Sequence, residues 1–406
     1  MIELFKLVGI IFIIIILLIR KWELWFVLLI GSIATALLFF MRPSAFFITF
    51  WETMHDKMTI KLLIIVFSVL LLGYMMKEGG ILNILNLGIS SLVKNKLFQL
   101  TIPPALIGLL PMPAGALVSA PIVESSSRDL DLTPEQLTYI NFWYRHIWEY
   151  FWPIYPGLIL ASFIIKIPIR EISLHQWMFS LLAIFSGLLP IFSLGIQRIS
   201  IKPSEENKLK GVSLIFLGFL PIIIIILLYM VLRVDVTVSI FSTTIATFIF
   251  LYLTKRIKPL KIFRGLNYKS LLVIFTVMLF KNILSNSGGL KAVGGLGNSS
   301  IGIITVLYVM PFIAGFLTGV NQAYVAISFP LLLPFIQSAP KIYTLNIVEI
   351  AYVLGFAGVL LSPAHLCLVL SKEYFRAEFS GVYRYLFPPV LIIIFGAIIL
   401  GISTFL

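Results

Sequence analysis

Cysteine and charge are both scarce in this chain of 406 residues. Its single cysteine, Cys367, excludes an internal disulfide framework, and no cluster of Cys and His has the spacing of a structural zinc site. Only 12% of the residues are charged, against ~25% in a typical soluble domain, whereas 60% are apolar. One or two soluble cores do not bury that much apolar surface. The composition therefore predicts an all-helical protein that crosses a membrane several times.

Long apolar runs predict about ten transmembrane helices. Runs of roughly 17–25 residues with few charges match the thickness of a bilayer core. We expect spans near residues 2–19, 24–41, 58–76, 147–165, 175–196, 212–232, 236–254, 270–286, 346–371 and 385–406. The first run lacks the basic lead-in and the cleavage site of a signal peptide, so we expect it to be retained as a span.

Two further apolar stretches, 97–123 and 292–340, are broken in the middle by turn-forming residues. The first contains Pro111-Met112-Pro113-Ala114-Gly115, and the second contains Thr318-Gly319-Val320-Asn321. Such residues interrupt a straight helix. Each stretch is therefore predicted to form a re-entrant helical hairpin.

The positions of the basic residues predict which loops face the cytoplasm. The loops that hold 19 of the 30 Lys and Arg residues are 20–23, 77–96, 124–144, 197–211, 255–269 and 372–384. Short basic loops stay on the cytoplasmic side. Hairpin 97–123 is then expected to enter from the cytoplasm, hairpin 292–340 from outside, and both termini to lie outside. Basic residues next to a bilayer favour lipid headgroups as partners, and no nucleic acid is expected.

The two halves of the chain share landmarks in the same order, which predicts an internal repeat. Gly79-Gly80, Gly108, Ser119-x-Pro121 and Pro156 are followed, 207–209 residues later, by Gly288-Gly289, Gly315, Ser328-x-Pro330 and Pro363. We predict repeat 1 at 1–197, a cytoplasmic linker at 198–211 and repeat 2 at 212–406. Each repeat has five spans and one hairpin, and the odd number of spans inverts the second repeat. Inverted repeats with broken helices are typical of secondary transporters, whose substrate site lies between the repeats.

Polar residues near the predicted breaks are the candidate substrate ligands. Thr133-Pro134-Glu135-Gln136 predicts the start of a helix over 134–152, which would place Arg145 and Glu149 on one stripe. Charges at this depth mark either a binding site or a permanent ion pair, and both interpretations stay open here. The predicted substrate-binding residues are Asn141, Arg145, His146, Glu149, Ala114, Gly115, Thr318, Gly319, Asn321 and His365.

Sodium is the predicted coupling ion, and no other cofactor is expected. Carbonyl, hydroxyl and amide oxygens at the breaks suit a hard cation and need no titrating group. The candidate sodium ligands are Pro111, Ser119, Thr318, Asn321 and Ser362.

Three sequence strings resemble a known transporter family. They are Leu110-Pro111-Met112-Pro113-Ala114-Gly115-Ala116, Asn141-x-Trp143-x-Arg145-His146-x-Trp148-Glu149-Tyr150 and Trp152-Pro153-x-Tyr155-Pro156-Gly157. The chain resembles an uncharacterised, domain-of-unknown-function branch of the ion transporter superfamily, related to gluconate-permease-like and dicarboxylate carriers. The resemblance covers essentially the whole chain. It implies a homodimer with a scaffold domain and a moving transport domain that carries the hairpins, which is the elevator arrangement.

The expected function is secondary active transport, and not catalysis. The predicted solute is a small organic anion, a carboxylate, moved with Na⁺ across the plasma membrane of a bacterium or archaeon. Two alternatives stay open: a sodium/proton antiporter that uses Glu149 and His146, and a membrane-embedded enzyme that uses the same pair as acid and base on a lipid. The sequence shows no nucleophile near that pair, which disfavours the enzyme.

Overall fold

The structure, a computed structural model, describes residues 2–92, 95–112, 115–192, 208–294 and 300–405. Within these ranges the chain forms helices joined by turns and contains no β-strand. Seven helical stretches are long and apolar enough to cross a membrane: Lys57–Glu78, Ile169–Phe192, Gly211–Val231, Val236–Leu253, Lys269–Asn286, Lys341–Phe375 and Phe379–Thr404. The chain is an all-helical, multi-pass membrane protein.

These seven stretches coincide with seven of the ten predicted spans. The other three predicted spans coincide with shorter apolar helices at Phe5–Ile19, Leu24–Leu38 and Pro156–Ile165. In the predicted linker, residues 198–207 lie outside the described ranges, and 208–211 belong to a helix.

The first half of the chain contains ten helices in its described ranges. They are α1 (Ile2–Ile19), α2 (Leu24–Leu38), α3 (Pro43–His55), α4 (Lys57–Glu78), α5 (Ile81–Leu92), α6 (Lys96–Gly108), α7 (Ala116–Ser126), α8 (Pro134–His146), α9 (Pro156–Ile165) and α10 (Ile169–Phe192).

The second half adds α-helices and two π-helical turns, Leu227–Val231 and Thr305–Val309. The α-helices are α11 (Lys208–Ile226), α12 (Val236–Leu253), α13 (Pro259–Gly265), α14 (Lys269–Asn286), α15 (Gly289–Gly294), α16 (Ser300–Ile304), α17 (Met310–Thr318), α18 (Asn321–Ser338), α19 (Lys341–Leu361), α20 (Leu366–Phe375) and α21 (Phe379–Phe405).

Local sequence explains where several of these helices begin. Thr133 and Gln136 form a capping box at the start of α8: the Gln136 backbone N–H donates to Thr133 Oγ1 over 3.4 Å, and the Thr133 backbone N–H donates to Gln136 Oε1 over 2.8 Å. Proline follows the cap at the first position of α8 and also opens α9, where its missing N–H costs nothing.

Helix–loop–helix pairs occur at both predicted hairpins. In the first, α6 and α7 flank a loop that contains Pro111 and Met112, and its residues 113–114 lie outside the described ranges. In the second, α17 ends at Thr318 and is followed by Gly319, whose φ of 63° is left-handed and therefore suits glycine, and α18 begins at Asn321. We name these pairs hairpin 1 and hairpin 2.

The predicted helix over 134–152 is wrong beyond His146, where α8 ends. Residues 147–155 form a series of turns before α9, so the predicted span near 147–165 contains a helix only from Pro156. Pro153 lacks an N–H and disfavours helical backbone at the residue before it. In addition, the indole N–H groups of Trp148 and Trp152 donate to the carbonyls of Ala105 (2.8 Å) and Leu109 (3.1 Å) at the end of α6. These bonds satisfy carbonyls of α6 and hold the turns in place.

A second long helix is broken in a similar way. The predicted span near 346–371 consists of α19 and α20, which are separated at Ser362–His365 where Pro363 interrupts the backbone hydrogen bonding.

Two groups of helices pack mainly among themselves. One group contains α1–α5 and α11–α15, with its closest packing between α5 and α11, α2 and α14, and α4 and α12. The other contains α6–α10 and α16–α21, with its closest packing between α17 and α19, α19 and α21, and α6 and α8. We call them the first and the second helix group. The second group carries both hairpins and both broken helices.

Candidate functional site

A cavity of about 230 Å³ lies where the two hairpins meet the two broken helices. Six of the ten predicted substrate-binding residues line it: Arg145, His146, Glu149, Gly319, Asn321 and His365. The first helix group contributes Leu70 from α4 and Ser270 from α14 to the same wall. Residues far apart in the sequence therefore converge on one cavity that contains several polar side chains.

Three helix N-termini open onto this cavity. The first residues of α9 (Pro156 and Gly157), of α18 (Asn321 and Gln322) and of α20 (Leu366 and Cys367) all line it. The N-terminus of a helix carries unpaired backbone N–H groups and a partial positive charge. Their convergence favours a negatively charged ligand.

Arg145 lies in the last turn of α8 and is buried, with 3% of its surface exposed. Its Nη2 donates to the carbonyl of Met112 in the loop of hairpin 1 over 2.8 Å. Its Nε has no hydrogen-bond partner among the described residues. A buried guanidinium N–H without an acceptor is costly, and the Arg145 side chain also lines the cavity, so the guanidinium group is a candidate anion ligand.

Gly115 allows the loop of hairpin 1 to lie against Arg145. A Cβ atom at position 115 would overlap the guanidinium group. Gly115 itself is buried and does not line the cavity, so its effect on a ligand would act through the position of Arg145.

Glu149 lies in the turns after α8 and faces hairpin 2. Its Oε2 accepts a hydrogen bond from Asn321 Nδ2, and its backbone carbonyl accepts one from the Tyr352 hydroxyl over 3.2 Å. In the described part of the chain, the ion pairs do not include one between Glu149 and Arg145. The structure therefore gives no direct support to a permanent Arg145–Glu149 clamp.

His146 is the last residue of α8, and His365 lies in the break between α19 and α20. Their imidazole rings face each other within the second helix group. Their Nε2 atoms lie 3.0 Å apart. His146 Nδ1 lies 2.6 Å from the Phe142 carbonyl oxygen, and His365 Nδ1 lies 2.8 Å from the Gly319 carbonyl oxygen. Glu149 Oε1 lies 3.6 Å from His146 Nε2. Both rings are thus held by backbone carbonyls and meet at their other nitrogens.

A smaller cavity, of about 130 Å³, adjoins the first one and shares Leu70 and Met112 with it. It is lined further by Tyr74, Lys77 and residues 265–267. It therefore extends toward the basic loop 255–269.

Asn141 and Thr318, two further predicted substrate ligands, do not line the cavity. Asn141 Nδ2 donates to the Ala116 carbonyl (3.1 Å) and to Ser371 Oγ (2.8 Å), so it joins α8 to α7 and α20. Thr318 Oγ1 donates to the Ala314 carbonyl of its own helix over 2.7 Å. Ala114 lies outside the described residues.

Two of the candidate sodium ligands, Pro111 and Asn321, line the cavity, and the others do not. Ser119 Oγ donates to the Ala116 carbonyl over 3.3 Å, and Ser362 Oγ accepts from the Ala364 backbone N–H over 3.2 Å. Sodium binding stays a prediction.

Several lining residues were not predicted, among them Tyr155, Cys367 and Ser270. Tyr155 belongs to the predicted Trp-Pro-x-Tyr-Pro-Gly break, and its hydroxyl donates to the Gly108 carbonyl. Cys367 Sγ lies within 4.8 Å of one ring nitrogen each of His146 and His365, so a nucleophile does lie near His146, one member of the His146–Glu149 pair for which the sequence showed none. In the sequence, the feature that could have identified Cys367 was its position two residues after His365. Ser270 offered no local signal.

Comparison with known proteins identifies one family. The family model described as "Protein of unknown function (DUF401)" matches residues 3–403, nearly the whole chain. No curated protein matches the sequence.

Proposed function

We propose that this chain, which belongs to the DUF401 family, is a secondary active transporter of a small organic anion that carries a carboxylate group. The observation that carries this proposal is the buried Arg145, whose side chain lines a cavity onto which three helix N-termini open. A guanidinium group presents a planar fork of donors that matches a carboxylate, and it stays charged at any physiological pH. Broken helices that surround a site at membrane depth are typical of transporters.

On this proposal, two inverted repeats account for the matching hairpins and broken helices of the two halves. Corresponding helices of the two halves end in left-handed residues: Lys21 and Arg233 after the first helix of each half, Lys166 and Arg376 after the broken helix. A Cβ at Gly108 would overlap the Arg145 carbonyl, and a Cβ at Gly315 would overlap the Gly355 carbonyl. Each hairpin thus packs tightly against a broken helix of its own half. These paired features support the repeat.

Alternating access is proposed to follow the elevator mechanism. The second helix group supplies most of the cavity wall and would be the moving transport domain, whereas the first would be the scaffold of a homodimer. The neighbouring smaller cavity extends toward loop 255–269, which the basic residues predict to be cytoplasmic. On this proposal the structure represents an inward-facing state of a protein in a bacterial or archaeal plasma membrane.

A sodium/proton antiporter is the second candidate function. The observation in its favour is the buried contact between Glu149 Oε1 and His146 Nε2 at 3.6 Å. An antiporter of cations has no use for a buried guanidinium group and three helix N-termini at the cavity, so we favour anion transport.

Ligand binding by purified protein tests the proposed function. We expect at least one of lactate, gluconate, succinate and citrate to raise the melting temperature, because a ligand that binds the folded state stabilises it. Arg145→Lys keeps a positive charge but loses the planar fork. It should weaken binding by about 1.5–3 kcal/mol, roughly ten- to hundredfold, and leave the melting temperature without ligand nearly unchanged.

Arg128→Lys is the matched control, because Arg128 is exposed in the loop after α7. It should bind the same carboxylate as the wild type does. Equal affinity in folded wild type and Arg145→Lys would contradict the role of Arg145.

A further inference from the structure

The hydrogen bonds of His146 and His365 restrict where their protons lie. A carbonyl oxygen only accepts hydrogen bonds, so each Nδ1 next to a carbonyl must carry a proton. In a neutral imidazole that carries its proton on Nδ1, Nε2 has a lone pair and no proton. Two neutral rings would therefore direct two lone pairs at each other across 3.0 Å.

That arrangement is repulsive unless something positive lies between the rings. A distance of 3.0 Å between two nitrogens is the length of an ordinary N–H···N hydrogen bond. We infer that His146 and His365 together bind one proton between their Nε2 atoms, and that this proton is the ion moved together with the carboxylate. The second part of the inference rests on the proposed function.

The charges around the pair fit this assignment. The titratable or charged groups next to it are Arg145, Glu149 and Cys367, and the phenols of Tyr150, Tyr155 and Tyr352 lie around Glu149. When Glu149 is ionised, its charge cancels that of Arg145. A shared proton adds one positive charge to the site, and a monovalent carboxylate would cancel it. The proton and the anion therefore favour each other's binding at a depth where net charge is costly.

The pair also contacts the part of hairpin 2 that would have to move. His365 Nδ1 donates to the carbonyl of Gly319, the left-handed residue at the tip. Loss of the shared proton would leave two lone pairs facing each other. Their repulsion would push His365, and with it the tip of hairpin 2, away from α8. Release of the proton would thus weaken the closed arrangement of the tip. This gives the proton, in place of the predicted sodium ion, the role of coupling ion.

Solid-state NMR of the purified protein with ¹⁵N-labelled histidine tests the shared proton directly. The chain has only four histidines, so their signals can be assigned by single substitutions. We expect one strongly deshielded proton that correlates with two Nε2 nitrogens. It should be lost in both His146→Gln and His365→Gln. It should be kept in His55→Gln, which changes an exposed histidine of α3.

The wild-type spectrum is decisive even if a variant does not fold. Separate Nε2 signals for His146 and His365, with no common proton, would overturn the inference. So would stoichiometric Zn²⁺ bound between the two nitrogens in protein purified without chelator, because Cys367 Sγ lies close enough to be a third ligand.

Uptake of radiolabelled carboxylates by proteoliposomes tests the coupling. In sodium-free buffer, a proton gradient directed inward should drive accumulation of a monovalent carboxylate. With one proton per anion, its equilibrium ratio should approach about tenfold for each pH unit of gradient. His365→Gln should abolish the accumulation, and His55→Gln should keep it.

The outcomes separate the two proposals. Uptake that requires a sodium gradient and ignores the proton gradient would overturn proton coupling and leave the proposed function intact. If no carboxylate of the panel were taken up with either gradient, the proposed function and the coupling would both be wrong, whereas the NMR signal would still show the shared proton.

Discussion

At the scale of single residues, the position of Arg145 depends on the absence of a side chain at Gly115. Gly115 has a φ of −58°, so alanine suits its backbone and the substitution changes only the space next to the guanidinium. We expect Gly115→Ala to displace Arg145 and to weaken carboxylate binding by up to about 1.5–3 kcal/mol, the worth of the hydrogen bond to a charged group that the displaced guanidinium would lose.

Titration calorimetry with the best carboxylate of the panel measures this effect. Gly9→Ala is the control, since nothing lies within 4 Å of a Cβ added at Gly9 in α1. Wild-type affinity in folded Gly115→Ala would show that the loop of hairpin 1 does not position Arg145.

Local sequence predicted the polar cluster of the site but not its full wall. Arg145, His146 and Glu149 were identified because charged residues are rare inside apolar runs. Glu149 reaches Asn321, 172 positions along the chain, through a turn that the helical pattern did not predict. Leu70 and Ser270 were not predicted either, because neither residue has a local sequence signal. Only the packing of the helices places them at the cavity.

At the scale of helices and turns, the start of α8 was easier to predict from the sequence than its end. The capping box at Thr133 was evident from four consecutive residues and is confirmed in the structure. The end of α8 at His146 was not, because it depends on Trp148 and Trp152, which bond to carbonyls of another helix. A tertiary contact of this kind leaves no periodic signal in the sequence.

The N-terminus of α12 provides a pH test at this scale. Burial of Asp235 opposes ionisation, but hydrogen bonds from Thr237 and Lys61 outweigh it and lower the pKa of this carboxyl below its usual value. A lowered pKa in the folded state stabilises the fold above the ordinary pKa of aspartate, and that stabilisation is lost as the pH falls through the lowered value.

We therefore expect wild-type protein to lose stability at acidic pH relative to Asp235→Asn, which keeps a capping side chain but does not titrate. Asp235→Ala should lose about 1 kcal/mol at neutral pH because the cap is removed. Thermal unfolding of the three proteins across pH 3–7 measures both effects. Parallel pH profiles for wild type and Asp235→Asn would contradict this account of the cap.

At the scale of the whole molecule, composition and hydropathy predicted a helical membrane protein, and the structure confirms it. The division into two helix groups was implied only by the family resemblance, because it depends on which helices pack together. Apolar helices of similar composition carry little information about their neighbours, since packing in a membrane is decided by small residues and shape.

Cysteine labelling tests the proposed topology. In a Cys367→Ser background, which removes the only native thiol, Lys261→Cys should react with an impermeant maleimide only from the cytoplasm, and Lys341→Cys only from outside. Both lysines are exposed. Labelling of both positions from the same side would contradict the inverted repeat.

The measurement that tests the central claim most directly is uptake of a radiolabelled carboxylate into proteoliposomes that contain wild type, Arg145→Lys or Arg128→Lys. The cavity, the Arg145 side chain that lines it and the three helix N-termini predict saturable uptake by wild type and by Arg128→Lys. Uptake by Arg145→Lys, at equal reconstituted amounts, should fall at least tenfold at low substrate concentration. Wild-type rates in Arg145→Lys, or uptake no faster than in protein-free liposomes for every carboxylate tested, would contradict the claim.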